Sequence, residues 1–148
     1  MLTLTINSQQ IHSKPGRTLL ETAREHDIWI PTLCYHEALK PYGGCRLCVV
    51  ELETPRGKRL VASCTHPVEE GLVVQTDTEI VRQSRQVAAE LLLARAGHIP
   101  FIQELASSLG VLSTPYTLLQ DDCILCARCA RACQEIVGVG AISMAGRG

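Results

Sequence analysis

Eight cysteines fall into two spaced sets in a chain of 148 residues, and no other feature limits its possible folds so sharply. The first set is Cys34, Cys45, Cys48 and Cys64, separated by 10, 2 and 15 residues; the second is Cys123, Cys126, Cys129 and Cys133, separated by 2, 2 and 3. Such a density points to disulfides, metal ligation or thiol chemistry, and the compartment decides among them. Met1-Leu-Thr-Leu-Thr-Ile-Asn7 carries neither the basic start, nor the apolar run, nor the small-residue cleavage site of a secretion signal. The expectation is a cytoplasmic protein with reduced thiols. No apolar stretch reaches the roughly 20 residues needed to cross a bilayer; the best, 87–96, contains Glu90 and Arg95. The formal net charge of −1, with no block of like charge, speaks against nucleic acid and a polybasic membrane patch and leaves proteins as the expected partners.

Four soft thiolates in the first set are the complement that a [2Fe–2S] cluster needs, and the Cys45/Cys48 pair is spaced to grip one iron from a single tight loop. Gly43 and Gly44 directly precede that pair and let the backbone curl close to a cluster with its N–H groups aimed at sulfur. A four-cysteine zinc site is the rival, although zinc ribbons usually show two close pairs, whereas Cys34 and Cys64 stand alone. His36 and His66 each lie two residues after a cysteine, which raises a mixed histidine and cysteine centre. Four cysteines already suffice, so both histidines read as polar loop residues or donors to sulfur.

The flanking sequence frames this set with local structure. Leu2, Leu4 and Ile6 alternate with polar residues, 8–10 reads as a turn, and a second strand passes through Ile11. Thr18-Leu-Leu-Glu21 is a capping box opening a helix with Leu19, Leu20, Ala23 and Ile28 on its apolar side. Residues 31–44 have no period and read as a long loop, followed by strands at 48–53, 60–62 and 72–75. Thr76 and Glu79 form a second capping-box pattern before a helix whose expected buried stripe is Ile80, Val81, Val87, Ala88, Leu91 and Leu92. A shorter helix at 101–109, stopped by Gly110, a linker through Thr117 and a glycine-rich tail at 138–140 and 146–148 complete the chain. The fold expected is α+β: a β-grasp ferredoxin-like domain at 1–77, a helical connector at 78–117 and a cysteine-dense unit at 118–148.

The segments Leu33-Cys34-Tyr-His36, Gly43-Gly-Cys45-Arg-Leu-Cys48-Val-Val-Glu51 and Ala62-Ser-Cys64-Thr-His-Pro67 together resemble one family. This is the N-terminal [2Fe–2S] ferredoxin-like region of the large iron–sulfur subunit of respiratory complex I, a module also found in NAD-linked hydrogenases and formate dehydrogenases. The likeness continues through Glu70-Gly-Leu-Val-Val74 and Glu90-Leu-Leu-Leu93. It departs at the site of one histidine and three cysteines that follows the long helix in that family. Here Gly97-His98-Ile-Pro-Phe follows, no cysteine stands between Cys64 and Cys123, and His98 reads as a helix-end residue without a cluster.

The second set has the bacterial ferredoxin spacing, a [4Fe–4S] signal in one copy, with Gln134 in place of the usual proline. Cys123, Cys126 and Cys129 are the expected ligands. Cys133, one helical turn after Cys129, completes the same cluster, or else a partner residue or a non-cysteine group does, or a [3Fe–4S] form results. Gly138-Val-Gly140 lacks the preceding strand and following helix of a dinucleotide site, and no nucleophile–base pair is present, so no catalysis by the chain alone is expected. The resemblance implies an electron-transfer subunit in a hetero-oligomeric complex, with a flavin- and NAD(H)-binding subunit and other redox subunits as partners. The alternatives are a zinc-bound docking module and a redox or iron-sensing adaptor.

Overall fold

The computed structural model describes residues 1–145; positions 146–148, the last part of the expected glycine-rich tail, lie outside the described residues. Strands β1 (Leu2–Ile6) and β2 (Gln9–Ser13) pair antiparallel with Leu4 opposite Ile11. Their turn is Asn7-Ser8, with φ of 51° and 66°, one position earlier than the sequence pattern indicates. Two left-handed residues match the right-handed twist of the flanking strands, so Gln9 and Gln10 are drawn into β2.

Helix α1 (Leu19–Glu25) starts as its capping box requires. The Thr18 hydroxyl accepts from the Glu21 N–H at 3.3 Å, and the Glu21 carboxylate accepts from the Thr18 N–H at 2.8 Å. Leu19, Leu20 and Ala23 are fully buried beneath it, and the Thr22 and Ser13 hydroxyls meet at 2.6 Å inside the core. Thr18→Ala removes one half of the box and is expected to cost about 1 kcal/mol in urea unfolding with the slope unchanged.

Strands β3 (Val49–Thr54), β4 (Gly57–Ala62) and β5 (Val73–Gln75) complete a five-stranded sheet in the order β2-β1-β5-β3-β4. Only β1 and β5 are parallel, with Ile6 beside Val74. One cluster joins Leu4, Ile6, Ile11, Val50, Leu52 and Val74 of the sheet to Leu19, Leu20 and Ala23 of α1, which makes the fold a β-grasp of the α+β class.

Helix α2 (Glu79–Ala96) corrects the sequence reading twice. Thr78, not Thr76, occupies its N-cap position, and no side chain caps it. Thr76 is instead tied to the first hairpin, its N–H donating to the Asn7 side-chain oxygen at 2.8 Å and its hydroxyl accepting from the Asn7 amide at 2.7 Å. The buried face is Val81, Arg85, Ala89, Leu93 and Ala96, while Ile80, Val87 and Leu91 are about half exposed. The helix is rotated from the purely apolar stripe because Arg85 is drawn inward by two carbonyls described below. Helix α3 (Pro100–Ser108) begins with Pro100, whose missing N–H costs nothing at that position, and packs Ile102 and Ala106 on Ala89, Leu93 and Ala96.

The chain then runs back along α2 without regular structure. The Leu119 N–H donates to the Ala94 carbonyl and the Asp121 N–H to the Arg95 carbonyl, each at 2.7 Å, so the segment leading to Cys123 is strapped to the end of α2. His98 lies at this strap, its Nε2 2.8 Å from Asp122 Oδ1, as a helix-end residue with a local partner. Helix α4 (Arg128–Ala132) continues into a π-helical turn, Cys133–Val137. No helix among the described residues is long and apolar enough to cross a membrane.

Candidate metal centre

The first cysteine set converges from three places: Cys34 in the loop after α1, Cys45 and Cys48 in the turn entering β3, and Cys64 just after β4. Cys34, Cys48 and Cys64 are buried, and Cys45 keeps partial exposure. The turn is possible because Gly43 and Arg46 take left-handed φ of 68° and 61°. Arginine is an uncommon residue in that conformation, and its presence between two cysteines marks a backbone held by its surroundings. A methyl group on Gly44 would lie 2.2 Å from the Tyr42 ring, so nothing larger than glycine fits there without moving that ring.

The four thiols meet as two pairs, and the electrostatics describe the pairing. The Cys34 thiol hydrogen-bonds to the Cys45 sulfur, which with the N–H groups of Cys34, Leu47 and Leu33 holds Cys45 down at about 5 against the opposing push of burial. The same bond, together with burial, pushes Cys34 far above its ordinary value, although the N–H groups of Cys45 and Gly44 act in the other direction. Likewise the Cys64 thiol hydrogen-bonds to the Cys48 sulfur and lowers it to about 6, while Cys64 itself is pushed far up by that bond and by burial. Within each pair, one sulfur is thus favoured as the thiolate and the other is held protonated by its neighbour and by burial.

This arrangement fits a binuclear cluster. Two thiol pairs ringed by backbone N–H groups suit two irons that each take two sulfurs, whereas a tetrahedral zinc requires four ligands around one point. Among the described residues no three His, Cys, Asp or Glu side chains close on a single metal position. The two histidines turn to their own loops: His36 Nδ1 accepts from the Ala38 N–H at 3.2 Å, and His66 Nδ1 lies 2.9 Å from the Pro67 carbonyl.

Two buried arginines support the thiol pairs, and neither was visible as a candidate in the sequence. Arg85 of α2 donates to the Leu47 carbonyl at 3.0 Å and the Val49 carbonyl at 2.8 Å, the carbonyls on either side of Cys48. Burial lowers its affinity for the proton, and the charges of Asp77 and Cys48 pull in the opposite sense. Arg131 of α4 donates to the Lys40 carbonyl at 2.8 Å and to the carbonyl of Cys34 itself. The only sequence signal for Arg85 is its position four residues after Val81 and four before Ala89, on the face that is otherwise apolar.

The second set is differently disposed. Cys123 and Cys129 are exposed, Cys126 and Cys133 partly so, and the Ala141 N–H donates to Cys133 Sγ at 3.3 Å. Leu125 and Ala127 take left-handed φ of 55° and 59°, which curls the chain between the cysteines. The Nε–H groups of Arg128 and Arg131 are buried without a hydrogen-bond partner among the described residues. Orphaned cationic donors on a helix that bridges the second cysteine motif and the Cys34 loop suit an anionic group nearby.

Residues 1–79 match the family described as a 2Fe-2S iron-sulfur cluster binding domain. The chain belongs to that family. Over its whole length it is 34% identical to the NADP-reducing hydrogenase subunit HndD of Solidesulfovibrio fructosivorans, of which it covers 30%. It is 29% identical to an NADH-quinone oxidoreductase subunit of Rhizobium meliloti, of which it covers 20%. Among solved structures, an NAD+-reducing [NiFe]-hydrogenase in the H2-reduced state superposes with a TM-score of 0.85 at 30% identity, covering 99% of this chain and 71% of that one. The chain thus spans less than a third of the length of these two curated relatives. The family assignment agrees with the resemblance read from the cysteine flanks, and the domain binds a [2Fe–2S] cluster.

Proposed function

We propose that this chain relays single electrons between a flavin- and NAD(P)H-linked partner subunit and another redox centre of a hetero-oligomeric oxidoreductase, in a reducing cytoplasm and without catalysis of its own. Cys34 and Cys45 hold one iron of the [2Fe–2S] cluster and Cys48 and Cys64 the other. A second, [4Fe–4S] cluster sits on Cys123, Cys126 and Cys129, with Cys133 completing it. The units are a cluster domain at 1–77, a helical connector at 78–117 and a second cluster unit at 118–148. An iron–sulfur cluster supplies reversible one-electron chemistry, and the protein's contribution is to bind, shield and tune it.

The observation that carries this reading is the gathering of Cys34, Cys45, Cys48 and Cys64 from three loops, three of them buried, within a domain of the 2Fe-2S binding family. Ligation requires the thiols to lose their protons, and the N–H groups that lower Cys45 and Cys48 then stabilise the charge on their sulfurs. Cys45, the partly exposed member, lies on the side of the site nearest solvent. The relatives, an NADP-reducing hydrogenase and an NADH-quinone oxidoreductase, support a pyridine-nucleotide-linked partner.

Anaerobic purification followed by iron, sulfide and zinc analysis, with EPR of the dithionite-reduced protein, tests it. About six irons per chain and two distinct signals are expected. About two irons would remove the second cluster, and a colourless protein holding zinc would replace the relay with a docking module.

A further inference from the structure

Arg131 is a buried cation without a carboxylate. It is 8% exposed, stacks at 4.9 Å on the Tyr42 ring, and spends its Nη groups on two backbone carbonyls, those of Cys34 and Lys40. None of the ion pairs among the described residues includes it; the nearby Glu135 is engaged by the Lys40 N–H at 2.7 Å. A guanidinium removed from water and left unneutralised is costly unless an anion lies close by. A [2Fe–2S] cluster on four thiolates is net anionic and gains a further negative charge on reduction. Arg131 touches the peptide carbonyl of one of its ligands. Arg128, three residues earlier, donates to the carbonyl of the next residue, Tyr35, at 2.7 Å, so α4 grips successive carbonyls of the Cys34 loop.

We infer that Arg131 is a positioning and tuning residue of the [2Fe–2S] site, an inference that rests on the ligand set proposed above. Its two-carbonyl bridge fixes the loop that presents Cys34, and its charge favours the reduced cluster. The residue stands between Cys129 and Cys133, so the helix that carries Cys129 of one set also locks the other. The distinction from a merely structural arginine is that the reduction potential of the first cluster depends on it.

The test uses the full chain reconstituted anaerobically with iron and sulfide, as wild type, R131Q and R131K, with an EPR-monitored redox titration of the [2Fe–2S] signal and the rate of iron loss to a chelator. R131Q is expected to shift the reduced-to-oxidised ratio at a given potential about tenfold toward the oxidised form, a midpoint lower by about 59 mV for one electron. R131K keeps the charge but not the planar fork that spans two carbonyls, so it is expected to restore most of the midpoint while losing iron several-fold faster than wild type. An unchanged R131Q midpoint in a chain that retains the cluster overturns the inference alone. If R131Q holds no cluster, R131K decides: a wild-type rate of iron loss overturns the bridge, and faster loss at a near-wild-type midpoint upholds it. A wild-type chain that takes up no [2Fe–2S] cluster overturns the underlying ligand assignment as well.

Discussion

Cys45→Ser is expected to abolish the [2Fe–2S] EPR signal and the visible absorption of the first site, with about two irons lost per chain. The hydrogen bond from Cys34 and the surrounding N–H groups hold Cys45 below the ordinary thiol range, and a serine hydroxyl has no comparable tendency to ionise. Because the folded state alone presents the four sulfurs together, ligand loss removes binding energy that contributes to folding, and the reconstituted variant should melt well below wild type. An unaltered spectrum would remove Cys45 from the ligand set.

The second large effect is expected from Arg85→Ala. Arg85 satisfies the carbonyls of Leu47 and Val49 in a region where Leu47, Val49 and Val81 are all buried, so truncation leaves two acceptors without partners and opens a cavity beneath α2. At roughly 1–3 kcal/mol for each stranded carbonyl, the loss should be about 3 kcal/mol, or about 10 °C in melting temperature for a chain of this size. Urea unfolding of the metal-free protein measures it. Separating fold from cluster in this way matters, because the same carbonyls flank Cys48 and the cluster-loaded variant should lose iron faster as well. A loss below about 0.5 kcal/mol would place Arg85 among ordinary surface residues despite its burial.

Those two residues mark the boundary of what the sequence makes legible. Cys45 announces itself through spacing and through the adjacent glycines, and Thr18 with Glu21 announces the first helix, because each signal is complete within a few residues. The hairpin was readable from alternation, with its turn displaced by one position since the left-handed preference of Asn7 outweighs the polar character of Gln9 and Gln10. Arg85 was not readable. Its charge marks it as solvent-facing in any apolar count, and the two acceptors that pull it inward lie 36 and 38 positions away. Thr76 and Glu79 matched a local capping pattern, yet Thr76 is claimed by Asn7 from the first hairpin. In each case a long-range partner outcompetes a local one.

The grip of α4 on the Cys34 loop has a consequence for biosynthesis. Arg131 follows Cys64, the last cysteine of the first set, by 67 residues, so on the ribosome the four-sulfur basket is complete well before its clasp exists. At translation rates of about 5–20 residues per second the interval is on the order of several seconds. During that time the Cys34 loop has no guanidinium to hold it, and the nascent basket is at its most open to arriving iron and sulfide.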